Sequence, residues 1–255
     1  MAQEHFCIFG RKPVIEAIKA GKKFDKILLL KNASGDEIRE IQQLLRDGVT
    51  SIQNVPREKL DNVARKYSRH REANHQGVIG FLSMVTYQTM EDVLHHVYAK
   101  GGTPLLMVLE GVTDVGNFGA IARSAECFGA DALIIPAQGA AQVNPVAMKA
   151  SAGALNNIYV CREKSLVTAL KFLRVNGIKL YAADMAGAKA VSVADFSEPC
   201  AIVMGSEGSG ISPELLKLCD EKITIPIVGV TGSLNVSVAA GIFLFEAAKA
   251  RAANG

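Results

Sequence analysis

The sequence has no cysteine or histidine spacing of the kind that organises metal sites. Its five cysteines, at positions 7, 127, 161, 200 and 219, form no CxxC pair, and its five histidines form no HExxH motif. Scattered cysteines argue against both a disulfide framework and a zinc site. The sequence therefore predicts a reduced, cytoplasmic protein that binds no metal.

Membrane-spanning and secretory segments are also missing from the sequence. The apolar run 236–245 is too short to cross a bilayer and is followed by Glu246, Lys249 and Arg251. The segment 1–5 has neither the charged region nor the apolar region of a signal peptide. We therefore expect no membrane partner.

A dinucleotide-binding fingerprint is absent as well. After the apolar segment 105–110, the glycines stand at positions 111, 116 and 119, which is not the GxGxxG spacing. No acidic residue follows a second strand at the place where it would bind a ribose. The sequence thus disfavours a dehydrogenase or an ordinary Rossmann methyltransferase.

Charge is distributed unevenly along a chain large enough for one big domain or two smaller ones. The 255 residues are 49% hydrophobic. Residues 1–82 hold 15 Lys and Arg against 10 Asp and Glu, a net charge of +5, and the remaining residues hold 13 against 15, a net charge of −2. A basic front part indicates a polyanionic partner, although an ordinary solvated surface explains the charge equally well.

The first 82 residues alternate helix and strand patterns and predict a compact α/β unit. Ser34 is the predicted N-cap of the second helix, because Glu37 follows three residues later. The predicted helices cover 13–20 and 34–47 and start again at Pro56, and the predicted strands cover 26–30, 51–53 and 77–82. A helix capped by Thr89 follows, and we place a domain boundary near Thr86.

From residue 104 onward, apolar strand patterns alternate with helical ones. The predicted strands cover 105–109, 132–135, 178–182, 201–204 and 222–225, and the predicted helices cover 119–128, 165–176, 212–219 and 236–250. Ser212 is the predicted N-cap of the third of these helices, with Pro213 at its first position. This alternation is typical of a mostly parallel sheet covered by helices on both faces. The sequence therefore predicts a small α/β domain at 1–82, a linker and helix at 83–103, and a larger α/β domain at 104–255.

Three short segments of the larger domain carry polar side chains that a plain α/β core does not need. The first is NFGAIAR at 117–123, which places Asn117 and Arg123 across the start of a helix. Gly116 and Gly119 are expected to turn the backbone tightly and to leave helix N–H groups free for a phosphate. Taken alone, this segment is explained as well by an arginine that lies along the helix and reaches water.

The other two segments lie at the ends of predicted strands. MGSEGSG at 204–210 combines three glycines with Glu207, which favours a ligand-binding loop over a simple tight connection. SLNVSV at 233–238 opens the last helix, where an N-cap explains Ser233 or Asn235 but not both. The small residues at 239–241 indicate close approach of another backbone, with a plain core helix as the alternative.

In order and spacing, the three segments resemble the signature motifs of the SpoU class of SPOUT RNA methyltransferases. The resemblance covers residues 104–250. It implies a parallel α/β sheet whose C-terminal chain forms a deep trefoil knot, a rare exception to the rule against knots. It also implies a homodimer that binds S-adenosylmethionine and methylates a ribose 2′-hydroxyl without a metal.

The resemblance assigns catalytic roles to five residues, namely Arg123, Asn117, Glu207, Ser233 and Asn235. Arg123 is expected to contact the ribose hydroxyl or the adjacent phosphate. Because free arginine stays protonated, this side chain is a poor candidate for the proton acceptor. Asn117 would hold the RNA, Glu207 would anchor Arg123 or nearby backbone, and the remaining two would position Arg123, ribose or cofactor.

Cofactor contacts in this class are largely made by the main chain. The positions that match the family pattern are Gly205, Ile225 and Leu234. The adenine is expected to lie in an apolar slot with backbone donors, as small-molecule sites usually provide.

Residues 1–82 resemble the ribosomal-protein-like RNA-binding domain of one branch of this class. The similarity rests on Phe9 and Gly10 leading into 13–17, and on HQGV at 75–78. That branch includes enzymes that methylate guanosine in 23S ribosomal RNA, which is therefore the expected substrate. A transfer-RNA ribose methyltransferase and a non-catalytic RNA-binding scaffold are the alternatives. The predicted RNA contacts in the basic segment 65–71 are Arg65, Lys66, Arg69 and Arg71.

Overall fold

The computed structural model describes residues 7–46, 50–67, 74–141, 143–186 and 189–253. They belong to two compact units, the first formed by Met1–Thr86 with Val143–Pro145 and the second by Tyr87–Gln142 with Val146–Gly255. Within the described ranges, no helix combines the length and the apolar character that crossing a membrane requires. The division into 1–82, 83–103 and 104–255 stays a prediction.

The first unit is a mixed sheet between helices. Its strands are β1 (Cys7–Phe9), β2 (Phe24–Leu30), β3 (Ser51–Val55) and β4 (Val78–Leu82), and its helices are α1 (Arg11–Lys19), α2 (Asp36–Leu44) and α3 (Arg57–Tyr67). The sheet order is β1-β4-β2-β3, with β4 antiparallel to both neighbours and β2 parallel to β3. Successive β2 residues face opposite sides, so Ile27 packs with Ile41 of α2 and Leu28 packs with Leu60 of α3.

The N-cap predicted for the second helix is wrong. Helix α2 begins at Asp36 after Gly35, which makes no side-chain cap. The backbone of Gly35 has φ of 115°, a conformation that favours glycine, and it turns the chain into the helix after Ser34. The carbonyl of Ser34 instead accepts a hydrogen bond from Arg11 Nη1 at 3.3 Å.

The second unit is built on an eight-stranded sheet. Its strands are β5 (Tyr87–Gln88), β6 (Leu105–Leu109), β7 (Ala132–Pro136), β8 (Tyr159–Glu163), β9 (Lys179–Ala183), β10 (Lys189–Ala190), β11 (Cys200–Met204) and β12 (Glu221–Thr224). The order is β10-β12-β9-β11-β6-β7-β8-β5, and each neighbouring pair is parallel. The predicted parallel sheet is confirmed, whereas β5, β8 and β10 were not predicted.

Helices cover both faces of this sheet. They are α4 (Met90–Ala99), α5 (Val115–Cys127), α6 (Pro145–Ala150), α7 (Leu166–Val175), α8 (Pro213–Leu216) and α9 (Val236–Ala252). Leu106 and Val108 belong to an apolar cluster with α4 and α7, while Met107, which faces the other way, is fully buried too. The predicted N-caps Thr89 and Ser212 are confirmed, because each accepts a hydrogen bond from a backbone N–H of its helix.

The small residues near the start of α9 pack against another helix of the same chain. Helix α9 contacts α5, and Ala240 is fully buried. A Cβ atom added at Gly241 would lie 3.6 Å from Ser124 Oγ of α5, which is an ordinary van der Waals distance. Helix α5 therefore packs beside these small residues at ordinary distances, and the close approach of another backbone at 239–241 stays a prediction.

Two glycines inside these helices lead to opposite stability predictions. A Cβ at Gly119 would lie 2.5 Å from Ala150 Cβ and 2.7 Å from the Ala147 carbonyl oxygen. We expect Gly119→Ala to lower the free energy of unfolding by about 1–3 kcal/mol through overpacking. Gly241→Ala should leave it unchanged or raise it by up to about 1 kcal/mol, since alanine favours a helix. Urea denaturation of both variants measures this, and equal losses would contradict the packing.

Candidate functional site

A pocket of about 470 Å³ lies at the carboxyl ends of β9, β11 and β12. Its wall consists of 183–185 after β9, the loop 204–211 after β11, and residues between Thr224 and Phe243 after β12. This volume is typical of small-molecule sites, and the carboxyl edge of a parallel sheet is where α/β proteins bind ligands. The location and the size together indicate a ligand site.

The loop after β11 closes on its own backbone. The Gly210 N–H donates to the Ser206 carbonyl at 3.0 Å, and the hydroxyls of Ser206 and Ser209 lie 2.7 Å apart. A Cβ at Gly205 would lie 1.9 Å from the Gly210 carbonyl carbon, whereas a Cβ at Gly208 would meet nothing within 4 Å. Glycine is therefore sterically required at position 205 and not at position 208.

Glu110 holds both ends of this loop, and it was missed in the sequence. Its N–H donates to the carbonyl of Met204 at 2.8 Å, and its Oε2 accepts the N–H of Ser212 at 2.7 Å. A carboxylate directly after the buried strand β6 was the signal that could have identified it. By bonding the residues that flank the loop, Glu110 fixes one wall of the pocket.

The three predicted cofactor residues all line the pocket. Gly205 follows β11, Ile225 follows β12, and Leu234 precedes α9. Two predicted catalytic residues, Glu207 and Ser233, lie in the same wall. The structure thus gathers the second and third polar segments around one space, and the roles of these residues stay predictions.

Asn235 connects the third polar segment to the first. It is the N-cap of α9, since its Oδ1 accepts the Ser237 N–H at 2.9 Å and the Ser237 hydroxyl at 2.6 Å. Its Nδ2 donates to Asn117 Oδ1 at 3.1 Å. Capping therefore explains Asn235 and not Ser233, and the same side chain links the starts of α5 and α9.

The two functions of Asn235 can be separated by substitution. Asn235→Asp keeps an oxygen to cap α9 but loses the amide donor to Asn117, while Asn235→Ala loses both. We expect Asn235→Ala to lose about 1 kcal/mol more stability than Asn235→Asp, the usual value of a cap. A double-mutant cycle of Asn235→Asp with Asn117→Ala should give a coupling of about 0.5–1 kcal/mol. Urea denaturation checks both, and equal stability of the alanine and aspartate variants would contradict the capping role.

Helix α5 starts earlier than predicted. Asp114 is its N-cap, and its carboxylate accepts the Asn117 N–H at 2.7 Å. Gly116 and Gly119 therefore lie inside the helix, and neither has a positive φ. The predicted tight turn at these glycines is wrong, because both lie within the helix. The Asn117 N–H at the start of the helix is bonded to Asp114 and is not free for a phosphate.

Arg123 lies apart from the pocket. It is exposed on α5, and within the described part of the chain its guanidinium makes no hydrogen bond or ion pair. Glu207 is also exposed and makes no side-chain bond to Arg123 in those residues. The structure joins Asn117 to Asn235 and places Glu207 with Ser233, but it does not bring Arg123 to either pair.

Two of the four predicted RNA contacts lie in the described residues. Arg65 is exposed in the last turn of α3 and donates to Asn62 Oδ1 at 2.5 Å. Lys66 is exposed, and its Nζ lies 5.2 Å from the ring centre of Tyr67. Arg69 and Arg71 fall outside the described residues, so their RNA contacts stay predictions.

Potential metal ligands and thiols are dispersed. In the ranges that the structure describes, no three His, Cys, Asp or Glu side chains cluster as a metal site would require. The five cysteines are unpaired, and burial raises the pKa of both the Cys7 and the Cys161 thiols to about 12. These two thiols stay protonated at neutral pH and do not act as nucleophiles.

Comparison with known proteins relates both units to RNA methyltransferases. Residues 104–245 match the SpoU rRNA Methylase family, and residues 7–88 match the RNA 2′-O ribose methyltransferase substrate binding family. YacO of Bacillus subtilis, named as of the TrmH family of tRNA/rRNA methyltransferases, is 31% identical over 98% of both chains. The chain belongs to the SpoU methylase family.

Other relatives of this SpoU family member are also named as methyltransferases. A tRNA/rRNA methyltransferase of Mycolicibacterium vanbaalenii is 35% identical over 96% of this chain and 76% of its own. The AdoMet-bound rRNA methyltransferase of Sinorhizobium meliloti superposes with a TM-score of 0.60 at 25% identity, covering 96% of this chain and 87% of the other. The AviRb methyltransferase of Streptomyces viridochromogenes shares the fold, with a TM-score of 0.61, 24% identity, and 97% and 91% coverage. The predicted family and its RNA methyltransferase activity are confirmed.

Proposed function

We propose that this SpoU family member transfers a methyl group from S-adenosylmethionine to a ribose 2′-hydroxyl of RNA. The observation that carries the proposal is the pocket that gathers Gly205, Ile225 and Leu234 at the carboxyl edge of the parallel sheet. Those positions match the cofactor pattern of the family, and one solved relative is an AdoMet-bound rRNA methyltransferase.

The composition and the charge of the pocket wall support such a cofactor. Its wall combines apolar side chains, among them Ile225, Leu234 and Phe243, with the polar backbone of the 204–211 loop. Asp184 and Glu207 line it, and no Lys, Arg or His does so in the described residues. A cofactor with a positive sulfonium would be attracted to this wall. When bound, it would supply an electrophilic methyl group.

We assign the remaining polar residues to the RNA. The ribose hydroxyl is a poor nucleophile at neutral pH, so the site must orient it and assist the loss of its proton. Arg123 has a guanidinium without a partner in the described residues, which supports donation to the hydroxyl or to the neighbouring phosphate. Asn117, held by Asn235, would place the RNA at the start of α5. Ser233 and Glu207 would position ribose and cofactor from the pocket wall.

We further propose a homodimer with a knotted C-terminal chain. Arg123 lies outside the pocket of its own chain, so a second copy would complete the site. Val228 and Val230 beside the pocket and Val238 and Phe245 on α9 are exposed apolar side chains that a partner copy would bury. The trefoil knot rests on the resemblance to the family. Sedimentation velocity tests this proposal. A protein that sediments as a monomer at micromolar concentrations would contradict the homodimer.

A guanosine of 23S ribosomal RNA is the substrate we favour, with the cytoplasm as the location. The basic charge of residues 1–82 and their match to a substrate-binding family support a large RNA. Transfer RNA is the alternative, since the relatives carry both RNAs in their names. A non-catalytic scaffold is disfavoured, because it would have no use for Arg123, Glu207 and Asn235 together.

Transfer of labelled methyl from S-adenosylmethionine to deproteinised 23S ribosomal RNA and to transfer RNA tests the proposal. We expect labelling of the ribosomal RNA. Arg123→Ala should reduce turnover about 10²- to 10³-fold, as loss of a donor at the reacting oxygen does, without changing cofactor affinity. Labelling of transfer RNA alone would correct the substrate. If folded protein that binds the cofactor transfers methyl to neither RNA, the proposed methyltransferase activity is refuted.

A further inference from the structure

A second pocket, of about 780 Å³, lies in the first unit where α1 begins and β2 ends. Three cations line it, Arg11, Lys12 and Arg57, together with the acids Glu37 and Asp61. The neutral polar side chains in the wall are Asn74, His75 and Gln76. None of these residues belongs to the methyl-transfer site, and together they form a polar, positively charged wall.

The acids in this pocket are paired, whereas two of the cations are not. Glu37 Oε2 lies 3.5 Å from Arg11 Nη1, and Asp61 Oδ1 lies 2.9 Å from His75 Nε2. Lys12 and Arg57 are exposed, and within the described residues neither side chain makes a hydrogen bond or an ion pair. These two cations are available to a negatively charged ligand.

Arg57 lies close to the paired acid. The hydrogen bond from His75 is the main cause that lowers the pKa of Asp61, and the positive charge of Arg57 lowers it further. Asp61 therefore stays ionised at neutral pH, and among the described residues its carboxylate bonds to His75 and not to Arg57. The hydrogen-bond donors of Lys12 and Arg57 are thus available to an anion.

The part of the wall formed by His75, Gln76 and Gly77 is held by several hydrogen bonds. Arg11 Nε donates to the Gln76 carbonyl at 3.0 Å, and the Arg11 N–H donates to Gln76 Oε1 at 3.3 Å. His75 Nδ1 accepts the Gly77 N–H at 2.9 Å, which leaves the proton on Nε2 for Asp61. Gln76 has φ of 48°, a left-handed conformation that a non-glycine residue keeps only when its surroundings enforce it. The loop is thus preorganised.

We propose that this pocket binds an unpaired nucleotide of the RNA substrate, with its phosphate on Lys12 and Arg57. Asn74 Oδ1 accepts the Gln76 N–H at 3.1 Å, so the Asn74 amide nitrogen keeps both of its donors for a base edge. Proteins recognise RNA sequence chiefly in single-stranded nucleotides, whose bases can enter a pocket, whereas a duplex cannot. The proposal rests on the proposed function and names where the first unit recognises its substrate.

The pocket offers a different contact from the basic segment 65–71. Arg65 already donates within α3 to Asn62 and to the Asp61 carbonyl, and Lys66 stacks over Tyr67. Neither of these cations lines the pocket. Charge reversal at the two surfaces therefore separates the two sites of RNA contact.

The test uses the full chain with two charges reversed. In Lys12→Glu with Arg57→Glu, we expect binding to deproteinised 23S ribosomal RNA to weaken at least tenfold. The magnitude of the slope of log K against log salt should fall by about 0.7, because the two cations share one single-stranded phosphate and each such phosphate contact contributes about that much. Lys22→Glu with Lys23→Glu is the matched control. It changes the net charge equally, and its exposed residues follow the opposite end of α1.

The outcomes separate this proposal from the proposed function. RNA binding that weakens equally in the pocket pair and the control pair, or only in Arg65→Glu with Lys66→Glu, would overturn the pocket. Neither outcome would affect the proposed methylation of RNA by the wild-type protein. If the wild-type protein transfers no methyl group, the proposed function fails, yet selective loss of RNA binding in the pocket pair would still support the pocket. Asn74→Ala should weaken binding without changing the salt slope, and circular dichroism confirms folding of each variant.

Discussion

Gly205→Ala is expected to abolish measurable cofactor binding and to destabilise the second unit. The added Cβ would lie 1.9 Å from the Gly210 carbonyl carbon, 2.0 Å from its oxygen and 2.3 Å from the Ile211 nitrogen. All three are backbone atoms, so no side-chain rotation relieves the clash and the loop must open. We expect a loss of about 3 kcal/mol in the free energy of unfolding, at the upper end of overpacking effects. Cofactor affinity should fall at least 100-fold, because this loop forms one wall of the pocket.

The same loop supplies the control. A Cβ at Gly208 meets nothing within 4 Å, and Gly208 has no positive φ. Gly208→Ala should therefore change stability by less than about 0.5 kcal/mol, as open surface sites do. Guanidinium denaturation and calorimetric titration with S-adenosylmethionine measure both variants. If Gly205→Ala binds the cofactor as the wild-type protein does, the loop is not the cofactor wall.

Arg251→Ala should destabilise the second unit by about 2–4 kcal/mol, since several charged hydrogen bonds to backbone carbonyls are lost together. Arg251 lies outside the matched range 104–245, near the end of α9. Its guanidinium donates to the carbonyls of Phe196 at 3.0 Å and Pro104 at 2.8 Å, and also to that of Thr103. These carbonyls belong to the segments that precede β6 and β11, so one side chain ties α9 to two central strands.

Two further variants test this role of Arg251. Arg251→Lys should lose nearly as much free energy of unfolding as Arg251→Ala. A single ammonium cannot donate to all the carbonyls that surround the planar guanidinium. Lys249→Ala is the matched control, since Lys249 is exposed on the same turn and, among the described residues, forms its one ion pair with Glu246 at 3.2 Å. Its effect should stay below about 0.5 kcal/mol. Equal stability of Arg251→Ala and Lys249→Ala in urea denaturation would contradict the role of Arg251.

Local chemistry explains which elements could be predicted from the sequence. The strand at Leu105–Leu109 was predicted with its bounds because an unbroken apolar run has no other stable place in an α/β protein. Thr89 and Ser212 were predicted as N-caps because capping depends only on the next three residues. The N-cap predicted at Ser34 was wrong because the backbone of Gly35, and not a side chain, determines where α2 starts.

Contacts between distant residues explain why β8, one of the strands that were not predicted, was missed. Strand β8 contains Arg162, a residue type that argues against a buried strand. In the fold Arg162 is buried, and its guanidinium carbon lies 4.3 Å from the ring centre of Tyr87 on the neighbouring strand β5. No pattern within residues 159–163 reveals that partner.

The candidate site shows the same limit. Each of its loops could be identified from glycines and polar residues, but their meeting depends on the order β12-β9-β11, which periodicity does not determine. Only the resemblance to the family predicted that Gly205, Ile225 and Leu234 share one site. The hydrogen bond between Asn117 and Asn235 joins residues far apart in the chain, and no sequence pattern predicted it.

The most direct measurement is the chemical position of the transferred methyl group. Ribosomal RNA labelled by the wild-type protein from S-adenosylmethionine is digested to nucleosides, which are separated and identified by mass. We predict that the label elutes with a 2′-O-methylated nucleoside, guanosine for the substrate we favour, and that Arg123→Ala slows its appearance about 10²- to 10³-fold. Label on a base, with the ribose unmodified, would contradict the account of the site.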